Sequence, residues 1–167
     1  MPEAKEKQSE LLINANFKGE IKMFVTQLSI FVENRFGRIA QLTRLLADNN
    51  IDMRTISIAD TKEFGIVRII ADDPEKAAQV LQDDGWIFQK TPVIAVVIPD
   101  VPGGMADVLD ALTEKEIGVE YIYAVIAKKA ETACMIFRVK DKHSQEAINL
   151  LNKKGYTLLS QEEVNGI

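Results

Sequence analysis

Between Val25 and Val32, the apolar residues Leu28, Ile30 and Val32 alternate with the polar residues Gln27 and Ser29. A period of two predicts a strand. From Gly37 to Asp48 the period lengthens, and Ile39, Leu42, Leu45 and Leu46 fall on one stripe of a helix. Ile51–Ala59 and Phe64–Ala71 are rich in Ile and Val and flank the polar turn Asp60-Thr61-Lys62-Glu63. They read as a hairpin. Asp73-Pro74 opens a second helix with Ala77, Val80 and Leu81 inward. Proline suits a first turn because the donor it lacks would be unpaired there. Gly85 reads as the C-cap of that helix, and Trp86–Lys90 as a fourth strand.

The pattern then starts again. Placing Gly37 over Gly103, an offset of 66, puts Val32 on Ile98, Ala40 on Ala106, Leu46 on Leu112 and Ile51 on Ile117. Further on an offset of 70 puts Arg68 on Arg138, Ala77 on Ala147, Leu81 on Leu151, Gly85 on Gly155 and Trp86 on Tyr156. The extra residues, about four, are expected in the middle turn of the second copy. That copy predicts a Val93–Ile98 strand, a Gly103–Lys115 helix, strands at Val119–Ala127 and Thr132–Val139, a Ser144–Lys154 helix and a Tyr156–Ser160 strand. The order is βαββαβ twice, an α+β chain of two tandem ferredoxin-like modules with antiparallel sheets. The expected boundaries are an extension at 1–22, a first module at 23–91 and a second at 92–167. Only Thr91 and Pro92 part the copies, so the modules should pack as one rigid unit.

In the second copy Val119, Tyr121, Tyr123 and Val125 share one parity, while Ile122, Ala124 and Ile126 share the other. A strand apolar on both faces usually has both covered. Helices cover one. The other is either mildly apolar and exposed or covered by a partner, such as a second chain.

Composition narrows the function. With 47% apolar and 27% charged residues, the chain has the profile of a globular protein. A net charge of -5 argues against nucleic acid or an anionic membrane as partner, since both call for clustered Lys and Arg. The single cysteine, Cys134, allows no internal disulfide, which fits a cytoplasmic location. No apolar run approaches a membrane span. Residues 1–22 lack a hydrophobic period apart from Leu11-Leu12-Ile13 and read as a tail. The run Lys18–Met23 could be encoded by AAA-GGA-GAA-ATA-AAA-ATG, a purine-rich ribosome-binding sequence ahead of an ATG. Met23 is therefore the expected true start, with residues 1–22 lying upstream of it or belonging to an alternative start.

Candidate chemistry gathers where the first strand of each copy turns into its first helix. These loops are Glu33-Asn34-Arg35-Phe36-Gly37-Arg38 and Pro99-Asp100-Val101-Pro102-Gly103-Gly104. Each sets Asn or Asp three residues before a glycine at the helix start. Glycine lets backbone amides approach a ligand. Those amides, continuing into Ile39 and Met105, lack helical partners and carry the positive end of the helix dipole. A carboxylate suits that place, and the Asn34 or Asp100 side chain can accept from an ammonium. Together they select an α-amino acid. Each loop alone reads first as an Asn or Asp N-cap followed by a turn glycine, and it is their equivalent places in the repeat that favour the ligand reading. Arg38 can hold a ligand carboxylate or be solvated. Phe36 can touch an apolar ligand side chain or pack in the core.

The repeat, with Asp-Val-Pro-Gly-Gly at one loop and Asn-Arg-Phe-Gly-Arg at the other, resembles the ACT domain from Phe24 to Ser160. It is most similar to stand-alone proteins made of two such modules, through Gln27–Asn34 and Phe64-Gly65-Ile66. Phe36 departs from the family's proline. The resemblance implies modules paired side by side that bind amino acids at the shared edge. Each loop would be completed by a residue at the start of the partner module's second strand, here Asp52 or Gly118. If the copies pair within the chain, Asp52 faces the Asp100–Gly103 loop and Gly118 the Asn34–Gly37 loop.

The remaining residues read blandly. His143 reads as solvated surface, Cys134 as buried filler, and Tyr121 and Tyr123 as packing. Arg68 and Arg138 read as ion-pair members or ligand contacts. No triad, metal cluster or phosphate loop is visible, so neither metal, cofactor nor catalysis is expected. The expected function is an amino-acid sensor that regulates amino-acid metabolism as a homodimer joined through sheet faces or edges, or through an enzyme in trans. The alternative is a ligand-free oligomerisation or protein-interaction module. Acylphosphatases and RNA-binding modules share the fold class, but an acidic chain with only the Asn34-Arg35 pair suits neither.

Overall fold

The computed structural model describes residues 23–60, 64–126 and 131–167. The 1–22 extension lies outside the described residues. So do the turns after the second strand of each module. The first module contains β1 (Val25–Glu33), α1 (Arg38–Asp48), β2 (Met53–Asp60), β3 (Phe64–Ala71) and α2 (Pro74–Asp83). Then come β4 (Ile87–Pro99), α3 (Gly104–Thr113), β5 (Val119–Ile126), β6 (Thr132–Val139), α4 (Asp141–Lys153), β7 (Thr157–Leu159) and a short α5 (Gln161–Val164).

β4 departs from expectation. Two strands broken at Thr91-Pro92 were predicted, but one strand of 13 residues runs through both. Its first half pairs with β1, from Ile87↔Phe31 to Val93↔Val25. Its second half pairs with β6 and β7, beginning at Ile94↔Phe137. Pro92 sits at the handover between neighbours, where a strand tolerates a missing donor. Its carbonyl accepts from Arg138 Nη1 at 2.9 Å. The first module thus has strand order β4-β1-β3-β2 and the second β7-β4-β6-β5, joined through one backbone.

The repeat holds at the level of backbone angles. Gly37 and Gly103 open the first helices at φ 82 and 94, and Asn50 and Glu116 close them at φ 54 and 55. Gly85 and Gly155 end the second helices at φ 76 and 86. A bulge falls between Met53 and Thr55 and, at the equivalent place, between Val119 and Tyr121. The ladders correct the expected alignment, however. Leu28↔Ile69 corresponds to Ile94↔Phe137, an offset of 68 in the third strand. Arg138 therefore stands where Ile70 does, not Arg68. Two extra residues enter the middle turn. The other two enter at α4, which starts at Asp141 rather than Ser144 and is three residues longer than α2, after a connection one residue shorter.

Alternation sends Leu28, Ile30, Val32, Val67 and Ile69 to the helix side of the first sheet, where Leu42, Leu46, Ala77 and Leu81 cover them. The second module repeats this with Ile94, Val96, Met135, Phe137, Val108, Leu112, Ala147 and Leu151. The helix-free faces pack on each other. Val25, Ile70, Val93, Ala95, Cys134 and Ile136 form a third cluster between them, closed by Val164 of α5. The layers run helix, sheet, sheet, helix. A second chain is not what covers this part of the second module's sheet: the first module does.

The inter-sheet layer also holds polar groups, each tied across it. Gln27, fully buried, donates from Nε2 to Tyr121 Oη at 2.8 Å and accepts at Oε1 from Tyr123 Oη at 2.9 Å. Buried amides and hydroxyls need such partners. Burial pushes the Tyr123 phenol well above its ordinary pKa. Arg68 lies 3.9 Å over the Tyr121 ring and, among the described residues, forms no ion pair. Arg138 does pair, with Asp141 at 2.6 Å and Glu120 at 3.6 Å. α5 is fastened by a capping box between Ser160 and Glu163, by Gln161 Oε1 on the Thr26 amide, and by Asn165 to Arg54 and Asp72.

Candidate functional site

Helix starts fall into three kinds: α4 follows Lys140, an extended residue that makes no side-chain cap, and the other four divide in pairs. In α2 the Asp73 carboxylate accepts from the Lys76 amide at 3.0 Å, and in α5 Ser160 Oγ accepts from the Glu163 amide at 3.3 Å. These are ordinary side-chain caps. α1 and α3 differ. Their N-cap residues are Gly37 and Gly103, both left-handed, and among the described residues no side chain caps either helix. Asn34 and Asp100 therefore do not cap. The N–H groups of Ile39 and Ala40, and of Met105 and Ala106, are left without intrahelical acceptors by helix geometry.

The two loops are built alike. Arg38 N–H donates to Arg35 O at 3.3 Å, and Gly104 N–H donates to Val101 O at 3.1 Å. Nothing lies within 4 Å of a Cβ placed on Gly37 or Gly103. Asn34 and Asp100 are exposed beside these openings, and the Asp100 amide donates to Glu131 O at 2.9 Å. Val101 and Pro102 are also exposed. Ile39 and Met105 are half-buried and pack on their modules' cores.

Side chains make the openings unequal. At the first, Arg35 pairs with Glu33 at 2.5 Å. Arg38 is neither simply solvated nor free. Its guanidinium lies 4.1 Å over Trp86 and donates from Nη1 to Gln41 at 2.6 Å, while Nε is buried with no partner among the described residues. Phe36 is fully exposed at 108%, so core packing is excluded. At the second opening Gly104 replaces Arg38, and a Cβ there would collide with Pro99 O. α3 thus begins hard against the end of β4, with no room for a side chain.

The residues expected to complete the loops lie on the outer strands. Asp52 precedes β2. Its carboxylate pairs with Arg54, and its amide donates to Asp72 Oδ1 at 3.0 Å. Among the described residues, Asp52 makes no hydrogen bond or ion pair with the Asp100 loop. Gly118 precedes β5, exposed and with open space around it. Sequence reasoning missed the Trp86 partner of Arg38, which is distant in sequence, and the Arg54 partner of Asp52, two residues along the same strand edge.

Other groups fill in the surroundings. Cys134 is buried, and burial pushes its thiol up to about 11. His143 is half-buried, with Nδ1 3.6 Å from Glu146. Among the described residues no cluster of His, Cys, Asp or Glu is arranged to hold a metal, and no helix is long and apolar enough to cross a membrane.

Comparison with known proteins agrees with this architecture. The family model described as an ACT domain pair matches residues 23–165. A crystal structure of protein BT0572 from Bacteroides thetaiotaomicron is 33% identical, with TM-score 0.80, covering 87% of this chain and 98% of that one. Regulatory subunits of aspartate kinase share the fold. That from Thermus thermophilus, in ligand-free form, is 15% identical with TM-score 0.58, covering 79% of this chain and 93% of its own. That from Thermus flavus is 14% identical with TM-score 0.55, covering 77% and 90%. A search of curated proteins gives no match. Matched by the model over nearly its whole described length, the chain belongs to the ACT domain pair family.

Proposed function

We propose that the protein binds an α-amino acid without transforming it and acts as an allosteric regulator of amino-acid metabolism. One observation carries this reading: two equivalent helix openings, each capped by a left-handed glycine and, among the described residues, by no side chain. The ligand carboxylate meets the free amides of the first turn, where the dipole favours an anion. Asn34 or Asp100 accepts from the ammonium. Asp52 joins a site by exchanging Arg54 for that ammonium, and Gly118 leaves space for a ligand side chain. Phe36 is available to an apolar side chain. Arg38 adds positive charge at the first opening, so the two sites differ in preference. The regulatory subunits of aspartate kinase, which share the fold, fit a non-catalytic role. The signal is the ligand's differential affinity for two arrangements of the protein, as a cytoplasmic homodimer or with an enzyme in trans.

The test is a thermal-shift screen against the twenty amino acids, followed by calorimetry. A ligand at a hundred times its Kd contributes about 2.7 kcal/mol. For a chain of this size that raises Tm by roughly 5–10 °C. Asn34→Ala and Asp100→Ala should each remove one class of sites. Failure of every amino acid to shift Tm overturns the reading. It would favour a ligand-free interaction module, for which the exposed Phe36 and Ile87 are the supporting observation.

A further inference from the structure

Side chains on the helix-free face of the first sheet form rows across its strands. The ladders set Ala59 of β2 beside Ile66 of β3, Ile66 beside Phe31 of β1, and Phe31 beside Ile87 of β4. Phe64, two residues before Ile66, faces the same way. Further down the same face, Gln27 and Ile70 are fully buried beneath the second module. Among the described residues, half of the face is thus sealed and half is exposed, with Phe31 42% and Ile87 73% exposed.

We propose that the exposed half is closed by the same half of a second copy of the chain, across a two-fold axis. This deepens the homodimer part of the proposed function and rests on that part alone. Four observations favour this occupant. The patch is continuous with the inter-module interface, and the chain closes the neighbouring half of this face with another helix-free sheet. The row from Ala59 to Ile87 carries no charged side chain, which disfavours a charged partner. It is wide and shallow, spanning four strands about 4.8 Å apart, a shape matched by a sheet packed about 10 Å away. A contact of a patch with itself also closes at two copies, without propagating.

The exposed apolar area is on the order of 400 Å² per copy, within the range of patches that are often functional. Two copies bury roughly 800 Å² together, at the low end for specific association, so the dimer is reversible. The patch ends at Glu33, where the Asn34–Gly37 loop begins. The docked copy therefore borders the first opening.

Sedimentation velocity of the full chain, over roughly three decades of concentration around the micromolar range, tests this. Wild type should pass from monomer to dimer. Ile87→Lys should raise the dimer Kd at least tenfold with unchanged circular dichroism. Phe31→Ser should act in the same direction. Ile58→Lys, on the opposite face of β2, should leave the dimer intact. Wild type that stays monomeric, a dimer indifferent to Ile87→Lys, or one lost through Ile58→Lys instead would each overturn the assignment. Amino-acid thermal shifts on the same samples separate this from the ligand reading. A dimer with no amino-acid response keeps the surface and removes the ligand. A monomer that responds does the reverse.

Discussion

Gly104→Ala is the sharpest test of the second opening. A Cβ at that position meets Pro99 O far inside the 3.0 Å that real Cβ atoms respect, with Pro99 C at 3.4 Å behind it. The obstacle is backbone, and Pro99 is pinned in the ladder opposite Thr132. Neither atom can swing away as a side chain would. Overpacking of this kind costs about 1–3 kcal/mol. Against it stands a gain of roughly 0.5–1 kcal/mol for replacing glycine within a helix. Because the obstacle is backbone, the cost falls at the upper end of that range, and the net expectation is a loss of about 2 kcal/mol, or a Tm lowered by roughly 4–8 °C. Two neighbours calibrate the scale. Gly103→Ala has open space but φ 94, so it should lose about 1 kcal/mol through backbone strain alone. Gly118→Ala has open space and no positive φ, so it should be neutral or slightly stabilising. Urea denaturation read by circular dichroism ranks the three. Gly104→Ala as stable as Gly118→Ala would refute the close approach of α3 to β4.

Two further outcomes are expected. Glu116→Gly relieves a left-handed glutamate at φ 55 and should stabilise by about 0.5 kcal/mol, whereas Asn50→Gly at φ 54 should be near neutral because asparagine tolerates that region; equal effects in urea titrations would refute the strain argument. Stability should also fall as pH rises from about 9 towards 11. The Cys134 thiol, pushed up to about 11, keeps its proton in the folded state while the unfolded chain loses it, and Tyr123 acts in the same direction. Cys134→Ala should flatten this slope in urea titrations at increasing pH, and an unchanged slope would contradict the buried thiol.

Much of the fold was legible because the apolar period changes cleanly between two and 3.6. Val25–Val32 and Gly37–Asp48 differ from their observed elements by a residue. Glycines at matching places announced the repeat. The continuity of β4 was hidden because Pro92 reads locally as a breaker, and only its ladder partners show that a break is unnecessary. α5 is too short to display a period, although Ser160 followed by Glu163 is a legible cap. The extra residues were misplaced because Arg68 over Arg138 was an attractive match of type. Apolar residues on both faces of β5 showed that a cover was needed, but amphipathicity cannot say which surface supplies it. At the candidate site, the loops were legible from their glycines and acidic or amide neighbours. That glycine, and not Asn34 or Asp100, takes the N-cap is a matter of backbone angle. The fates of Phe36, exposed, and Arg38, stacked on Trp86, depend on contacts between elements distant in sequence.

The shared strand also bears on how the chain is made. Synthesis proceeds from the N-terminus, and early domains fold as they emerge. The first half of β4 finds β1 already waiting. Its second half, Ile94–Pro99, must be held until Thr132–Val139 and Thr157–Leu159 leave the ribosome. For that interval a nascent chain with a finished front half trails an unpaired, Val- and Ile-rich ribbon, the kind of edge that recruits other chains. Slow translation between these segments would prolong the interval and lower the yield of native protein.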